Sequence, residues 1–235
     1  MIRLITLDLD GTLWNIWPTI ARAEHRLYQW LASHYPRISA AHSQASLREL
    51  NRQFAEQHPQ LAHDVTALRR GGLALAAQQA GYRDFRLDQG FEVFLAERQR
   101  VELFADTLPL LRALNTIAPL VALTNGNACV RRMQLSDYFH FQLSARDAGC
   151  MKPATGIFHL ACRMAGATAA QTVHIGDDYD ADIVGAHRAG VRSIWFNPDA
   201  QPPATDMPAA GDAHVTQLMQ IPTIIRRWAA AHREP

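Results

Sequence analysis

The distribution of strand-like segments along the chain restricts the fold more than any other feature of the sequence. Residues 2–8 are apolar and partly β-branched and end at Asp and Gly, which predicts a short buried strand. From about residue 18 to residue 104, apolar residues repeat at helical spacing and no segment is typical of a strand. Strands alternate with helices from residue 106 onward. An α/β core that is interrupted early by a helical insertion accounts for this order.

The later part of the chain is predicted to consist of strand–helix units. We expect strands at 119–124, 139–143, 172–175 and 192–196, and helices at 107–117, 128–135, 155–165, 179–189 and 215–231. Strands that alternate with helices of this length form parallel sheets, and the Pro-, Ala- and Asp-rich residues 198–212 indicate a loop. The predicted fold is a Rossmann-like parallel-sheet core, residues 1–13 and 106–235, with a helical cap domain, residues 14–105, inserted after the first strand.

Composition argues against several classes of protein. Lys and Arg total 23 against 22 Asp and Glu, a balance that argues against a broad nucleic-acid footprint. No apolar run reaches the roughly 18 residues of a membrane span, and the N-terminus does not resemble a signal peptide. Cys129, Cys150 and Cys162 form no CxxC pair, so we expect a reduced, cytoplasmic protein in which Cys150 is a small buried apolar residue. The sequence does not distinguish a monomer from a homodimer.

Polar residues follow the predicted first strand at the edge where a parallel α/β sheet binds ligands. Asp8 and Asp10 lie two residues apart and are followed by Gly11. Two unpaired carboxylates at this edge repel each other and are costly to desolvate. A hard divalent cation such as Mg²⁺ removes that cost and leaves room for phosphate oxygens. The alternative is a plain strand-to-helix turn in which Asp caps the helix.

Two further strand ends carry groups that suit an anion. Thr124 and Asn125 close the second strand with a hydroxyl group and turn-forming residues, which predicts an anion site or, alternatively, an ordinary Asn–Gly turn. Lys152 is the single Lys among the 23 basic residues. A compact ammonium group is not equivalent to a guanidinium group, so this exception points to a specific role, although a loop Lys is often only a solvated charge.

The fourth strand is followed by four carboxylates in six positions, at Asp177, Asp178, Asp180 and Asp182. If they are solvated, they cap the next helix and complement its dipole. If they are gathered, they complete the cation site, with Asp177 facing the sheet edge and Asp182 paired with Lys152. The four strand ends together favour a single site that binds a metal and a phosphate group.

These segments resemble the motifs of the haloacid dehalogenase-like hydrolase superfamily, which stand here as DLDGTL, TN, KP and GDDYDAD. The resemblance implies that Asp8 is the nucleophile, Asp10 the general acid and base, and Thr124 and Lys152 the groups that bind and stabilise the transferring phosphoryl group. It implies Mg²⁺ ligation by Asp177, Asp8 and the backbone carbonyl of Asp10. The implied substrate-binding set is Asp8, Leu9, Asp10, Thr124, Asn125 and Lys152.

A finer resemblance concerns the substrate. The segment LTNGNA and residues 63–66, HDVT, resemble the bacterial flavin mononucleotide phosphatases, a group that also dephosphorylates 5-amino-6-(5-phosphoribitylamino)uracil in riboflavin synthesis. This resemblance implies a Mg²⁺-dependent phosphatase that hydrolyses a small phosphomonoester through an aspartyl-phosphate. Residues that can reach the leaving group are Trp14, Trp17, His63, Arg69 and Arg70, although Trp at helical spacing is usually core and paired Arg usually faces water.

Three alternatives remain open at this stage. A 2-haloacid dehalogenase uses the same kind of Asp nucleophile, but a halide leaving group needs no proton, and dehalogenases of the superfamily lack the residue that stands here as Asp10. A sugar phosphomutase is compatible with Asp10. A non-catalytic module that binds a phosphometabolite is disfavoured by the complete set of motif residues.

Overall fold

The structure, a computed structural model, describes residues 1–200 and 212–231. The chain divides into two compact units. The α/β unit comprises Met1–Asn15 and Leu103–Pro235, and the helical unit comprises Ile16–Glu102. The expected junctions, after residues 13 and 105, differ slightly from the observed ones after Asn15 and Glu102.

The α/β unit is built on a parallel sheet, as the alternation of segments predicts. In the described residues the sheet has six strands in the order β3-β2-β1-β4-β5-β6. All neighbouring strands are parallel. The strands are β1 Leu4–Leu7, β2 Leu120–Thr124, β3 Phe141–Ser144, β4 Thr172–Gly176, β5 Arg192–Phe196 and β6 Ala213–Val215.

Helices cover the sheet because their apolar faces pack against buried strands. The helices of this unit are α6 Thr107–Asn115, α7 Ala145–Ala148, α8 Thr155–Met164, α9 Gly185–Arg188, which follows a π-helical segment Tyr179–Val184, and α10 Ile221–Ala231. Short 3₁₀ turns lie at Ser136–Tyr138, Ala169–Gln171 and Leu218–Gln220. One core cluster joins Leu4 and Val121 of the sheet to Ile157 and Phe158 of α8, and the partly buried Cys150 packs against it.

Two sequence expectations differ from the structure, and a third lies mostly outside the described residues. Residues 128–135 are turns rather than a helix, because the Gln142 side chain binds the backbone of Ala128 and Val130 and Gln134 adopts a φ of +59°. Strand β6 was not expected, since three residues at a sheet edge carry little pattern. Most of the loop expected at 198–212 lies outside the described residues.

The helical unit contains five helices in its described residues: α1 Ile16–His34, α2 Pro36–Ala41, α3 Gln44–Gln57, α4 Val65–Gln79 and α5 Leu87–Arg98, with a 3₁₀ turn at Pro59–Leu61. Ala23, Leu27 and Leu31 repeat along α1 and form a core with Leu73 and Phe94. Ser43 and Asp64 cap α3 and α4. In the described part of the chain no helix combines the length and the apolar character needed to cross a membrane.

Candidate active site

Three adjacent strands bring the predicted site residues to one edge of the sheet. Asp8 directly follows β1, Thr124 ends β2 and Asp177 directly follows β4. Strand β1 lies between β2 and β4, and the Asp8 amide donates to the Ile175 carbonyl at 2.9 Å, which continues the ladder to the site. The carboxyl ends of parallel strands therefore form the floor of the site, as the fold requires.

Lys152 links two of the acidic residues. Its ammonium group donates to Asp8 Oδ1 and Asp182 Oδ1, both at 2.6 Å, and to the Leu123 carbonyl at 2.8 Å. The side chain is 1% exposed, so all three donors are directed at protein acceptors in a space that suits a compact ammonium group rather than a planar guanidinium group. The Lys152–Asp182 pair is the one anticipated from the sequence.

Thr124 and Asn125 are bound into the neighbouring loops. The Thr124 hydroxyl accepts from the Gly126 amide at 2.9 Å. The Asn125 amide group donates to the Lys152 carbonyl at 2.9 Å and its oxygen accepts from the Lys152 amide at 2.8 Å. Asn125 thus fixes the backbone of Lys152, in addition to the substrate contact that the resemblance implies. Leu9 has a buried side chain, and its carbonyl accepts from the Leu13 amide at 2.9 Å.

Asp177 is held against the loop that follows β1. The Thr12 hydroxyl donates to Asp177 Oδ1 at 2.8 Å, and the Trp195 indole donates to the Asp177 carbonyl at 2.9 Å. A Cβ added at Gly11, where φ is +89°, would lie 2.1 Å from Asp177 Oδ2. Glycine at this position therefore permits both the turn and the close approach of the carboxylate.

Asp182 is completely enclosed, and His174 shares its carboxylate with Lys152. His174 Nε2 lies 3.0 Å from Asp182 Oδ1, and His174 Nδ1 lies 2.9 Å from the Thr6 hydroxyl on β1. Burial lowers the pKa of His174, so the neutral ring donates to Asp182 and accepts from Thr6. A Cβ at Gly176 would lie 2.2 Å from the Asp182 carboxylate, which explains glycine at the end of β4.

Three carboxylates form a group that fits a divalent cation. Asp8, Asp177 and Asp182 each offer an oxygen, and these oxygens all lie within 4.8 Å of one another. One ammonium group, that of Lys152, faces the three carboxylates. Carboxylate oxygens are the hard ligands that Mg²⁺ prefers, so the donor set and the excess negative charge both fit such an ion.

Burial and mutual repulsion set the protonation of this group. Burial raises the pKa of Asp8, and the charges of Asp182 and Asp177 raise it further against the opposing effect of Lys152. Burial and the charge of Asp182 also raise the pKa of Asp177 to about 7. Burial acts in the same direction on Asp182, but Lys152 and His174 outweigh it and bring that pKa to about 2. A cation between Asp8 and Asp177 would favour their ionised forms.

The remaining acidic residues have other surroundings. Asp178 and Asp180 are exposed, and Asp178 caps the following helical turn by accepting from the Ala181 amide at 2.9 Å. The four carboxylates of this segment are therefore split, with two in the site and two at the surface. The Asp10 carboxylate is not part of the three-carboxylate group; its Oδ1 accepts from the Trp14 indole at 2.9 Å.

The five residues expected to reach a leaving group have different environments. Trp14 is fully buried in the α/β unit rather than in the helical insertion, whereas Trp17 of the helical unit is 75% exposed. His63 is partly buried and lies just before Asp64, the cap of α4. Residues 63–66, HDVT, on which the finer resemblance depends, therefore include the N-terminal cap of α4.

Arg69 and Arg70 have partners inside the helical unit. Arg69 pairs with Glu24 at 3.3 Å and lies over the Phe94 ring at 4.0 Å. Arg70 pairs with Asp88 at 2.6 Å. These contacts give both arginines a role in the helical packing.

Sequence reasoning missed three residues that support the site, Thr12, His174 and Trp195, and it named Trp14 only for contact with the leaving group. The signal for His174 was present, because a His in the middle of an otherwise apolar, buried strand requires a polar partner. Thr12 lies within the DLDGTL motif and was quoted without a role. The two tryptophans act through indole donors, which sequence periodicity does not reveal.

Comparison with known proteins establishes the family. The family model described as haloacid dehalogenase-like hydrolase matches residues 2–190. The chain belongs to the haloacid dehalogenase-like hydrolases.

Individual relatives include both phosphatases and a dehalogenase. The 5-amino-6-(5-phospho-D-ribitylamino)uracil phosphatase YigB of Escherichia coli is 31% identical over 202 residues, which is 84% of each chain. The phosphoserine phosphatase of Thermus thermophilus is 28% identical over 152 residues, 62% of this chain and 60% of that protein. A crystal structure described as a 2-haloacid dehalogenase from Pseudomonas syringae pv. Tomato is 40% identical, with a TM-score of 0.90, and covers 97% of this chain and 100% of that one.

Proposed function

We propose that the protein is a Mg²⁺-dependent phosphatase that hydrolyses a small phosphomonoester through an aspartyl-phosphate. The observation that carries the proposal is the Lys152 ammonium held between Asp8 and Asp182, with Asp177 beside them. An anionic nucleophile attacks a phosphate dianion only if positive charge offsets their repulsion, which is roughly 4 kcal/mol for two unit charges at 4 Å and an effective dielectric constant of 20.

In the first step, Asp8 attacks phosphorus in line with the leaving oxygen. A bond forms between a carboxylate oxygen of Asp8 and phosphorus, and the bond between phosphorus and the ester oxygen breaks. Asp10 gives its proton to the departing alkoxide, which leaves as an alcohol. Lys152 stabilises the developing charge on the phosphoryl oxygens, and Thr124 binds one of them.

In the second step, water hydrolyses the acyl phosphate. Asp10, now a carboxylate, accepts a proton from the water as it attacks phosphorus. The bond between phosphorus and Asp8 breaks, inorganic phosphate is released and the Asp8 carboxylate is restored. Asp10 regains the proton it gave up, so the cycle is balanced.

The acidic group of the site supports a role for Mg²⁺. Asp8, Asp177 and the Asp10 carbonyl would hold the ion, with Asp182 near them and paired with Lys152. When bound, Mg²⁺ supplies positive charge that neutralises the phosphoryl oxygens. Burial raises the pKa of Asp8, so positive charge beside it also favours the ionised form that attacks.

For the substrate, we propose flavin mononucleotide or 5-amino-6-(5-phosphoribitylamino)uracil. The similarity to YigB over 84% of both chains supports this choice. The helical unit is proposed to select the leaving group as a cap, and the exposed Trp17 is its candidate for stacking on a planar ring. We also propose a reducing, cytoplasmic setting, since the three cysteines of the sequence form no CxxC pair.

A second candidate function is hydrolytic dehalogenation. The 40% identity to a structure described as a 2-haloacid dehalogenase favours it. Asp10 argues against it, because a departing halide needs no general acid.

A substrate panel separates the candidates. The purified protein is incubated with Mg²⁺ and flavin, pyrimidine and sugar phosphates, and free phosphate is measured; the proposal expects release that EDTA abolishes. Chloride release from 2-chloropropionate in the presence of EDTA would instead establish the dehalogenase. Conversion of a sugar phosphate without release of free phosphate would indicate a mutase. If no compound is turned over, the non-catalytic binding module becomes the favoured interpretation.

A further inference from the structure

We propose that Trp14 is a positioning residue that orients the carboxyl group of Asp10 for proton transfer. The inference rests on the proposed function, because it concerns the group assigned there as general acid and base. Its basis is the contact in which the Trp14 indole Nε1 donates to Asp10 Oδ1 at 2.9 Å.

The indole ring is a rigid donor. Trp14 is 0% exposed and is among the largest fully buried side chains of the described residues. Its backbone is fixed too, since its carbonyl accepts from the Gly11 amide at 2.9 Å and the residue bridges to Leu103. Asp10, by contrast, is only partly buried. The contact therefore holds the Asp10 carboxyl group against a ring that is itself fixed in place.

The adjoining backbone reinforces this arrangement. The Leu13 carbonyl accepts from the Thr107 hydroxyl at 2.7 Å and from the Phe104 amide at 3.0 Å. The segment that carries Trp14 is thus tied to the chain that returns after the helical unit. A ring held in this way keeps its donor at one place while Asp10 gives up and regains a proton.

The contact also distinguishes the two oxygens of Asp10. An indole N–H can only donate, and a carbonyl or carboxylate oxygen accepts better than the hydroxyl oxygen of a carboxylic acid. The contact at Oδ1 therefore favours placement of the acidic proton on Oδ2. Trp14 in this way selects the oxygen that serves the leaving group in the first step and the water in the second.

A purely structural explanation is the competing interpretation. A buried indole N–H needs an acceptor, and Asp10 satisfies it whether or not catalysis benefits. The two explanations differ in one measurable respect: a structural role affects all substrates alike, whereas a role in proton delivery affects substrates in proportion to their need for a proton.

The test compares two leaving groups in Trp14→Phe. The ratio of kcat/KM for p-nitrophenyl phosphate, whose leaving group needs no proton, to kcat/KM for an alkyl phosphate reports the contribution of the acid. We expect the alkyl phosphate to lose roughly tenfold or more relative to p-nitrophenyl phosphate, part of the 10²–10⁴-fold that acid–base catalysis contributes. Equal losses for both substrates would overturn the inference. Trp228→Phe, the same exchange in α10, should leave the ratio unchanged.

Asp10→Asn separates this inference from the proposed function. If Trp14 acts through Asp10, Trp14→Phe in the Asp10→Asn background changes the ratio no further. If Asp10→Asn itself leaves the ratio unchanged, the acid role of Asp10 and the inference are both wrong. If Asp10→Asn shifts the ratio and Trp14→Phe does not, the inference alone is wrong.

The ratio is measured within one preparation, so partial misfolding does not alter it. Should Trp14→Phe fail to fold, benzothienylalanine at position 14 keeps the ring size and replaces the N–H donor by sulfur. The same shift in the ratio is expected, and an unchanged ratio would count against Trp14.

Discussion

The Asp177 carboxylate lies so close to the backbone of Gly11 that position 11 has no room for a side chain while Asp177 keeps this place. A Cβ at Gly11 would come within 2.1 Å of Asp177 Oδ2, and the φ of +89° already disfavours any side chain. The turn after β1 and the carboxylate after β4 are therefore one structural unit, although 165 positions separate Asp177 from the neighbouring Thr12 that also binds it.

Gly11→Ala should displace Asp177 as well as strain the turn. A left-handed φ costs an L-residue roughly 1–2 kcal/mol, and the collision adds to that cost. Gly149→Ala is the matched control, because its φ is +67° and nothing lies within 4 Å of the added Cβ. Urea denaturation of both variants tests this. A Gly11→Ala protein no less stable than Gly149→Ala would contradict the close contact.

Mg²⁺ should stabilise the folded protein through Asp177. A ligand at a hundred times its Kd adds about 2.7 kcal/mol, which thermal melting detects. We expect Mg²⁺ to raise the Tm of the wild type and of Asp180→Asn, whose side chain is exposed, and to have little effect on Asp177→Asn. Equal stabilisation of the two variants would remove Asp177 from the ion site.

Lys152→Arg should not support catalysis. The ammonium group is enclosed by Asp8, Asp182 and the Leu123 carbonyl, and a planar guanidinium group does not reproduce those contacts. Displacement of this positive charge from the developing negative charge should cost about as much as loss of one oxyanion donor, about 10²–10³-fold in kcat. Steady-state kinetics with circular dichroism as the folding control measure the effect. Full activity would show that the single lysine of the chain is accidental.

His174→Phe should destabilise the fold. Phenylalanine keeps a planar aromatic ring, although a slightly larger one, but removes the donor to Asp182 and the acceptor for Thr6. A buried polar group left unpaired costs about 1–3 kcal/mol. His187→Phe, at an exposed position of α9, should stay within about 0.5 kcal/mol of the wild type. Similar free energies of unfolding for the two variants would refute the role assigned to His174.

The sequence predicted the architecture and the meeting of Asp8, Thr124 and Asp177 at one sheet edge for a common physical reason. Buried strands and helices differ in period, and parallel strands end at one edge, so Asp8, Thr124 and Asp177 were expected together. The contrast between one lysine and many arginines singled out Lys152, and the position of Asp182 one helical turn after the strand end suggested it as the partner. Local pattern was enough for these features.

The supporting contacts could not be predicted in the same way. The Gln142 side chain forms hydrogen bonds with the backbone of Ala128 and Val130, and these bonds favour turns over a helix at residues 128–135. Because Gln142 lies outside that segment, the sequence of the segment does not reveal the contact. The link from Trp14 to Asp10 depends on the orientation of a ring rather than on spacing.

The central claim is that Asp8 accepts the phosphoryl group, and its most direct test is mass spectrometry of the Asp10→Asn enzyme, acid-quenched during turnover of p-nitrophenyl phosphate. Because this substrate needs no general acid while the second step needs the base, the phosphoenzyme should accumulate, and the peptide that contains Asp8 should carry the mass of one phosphoryl group. Asp8→Asn in the same background should carry none. An unmodified Asp8 peptide during continuing phosphate release, or a phosphoryl group on another residue, would contradict the mechanism.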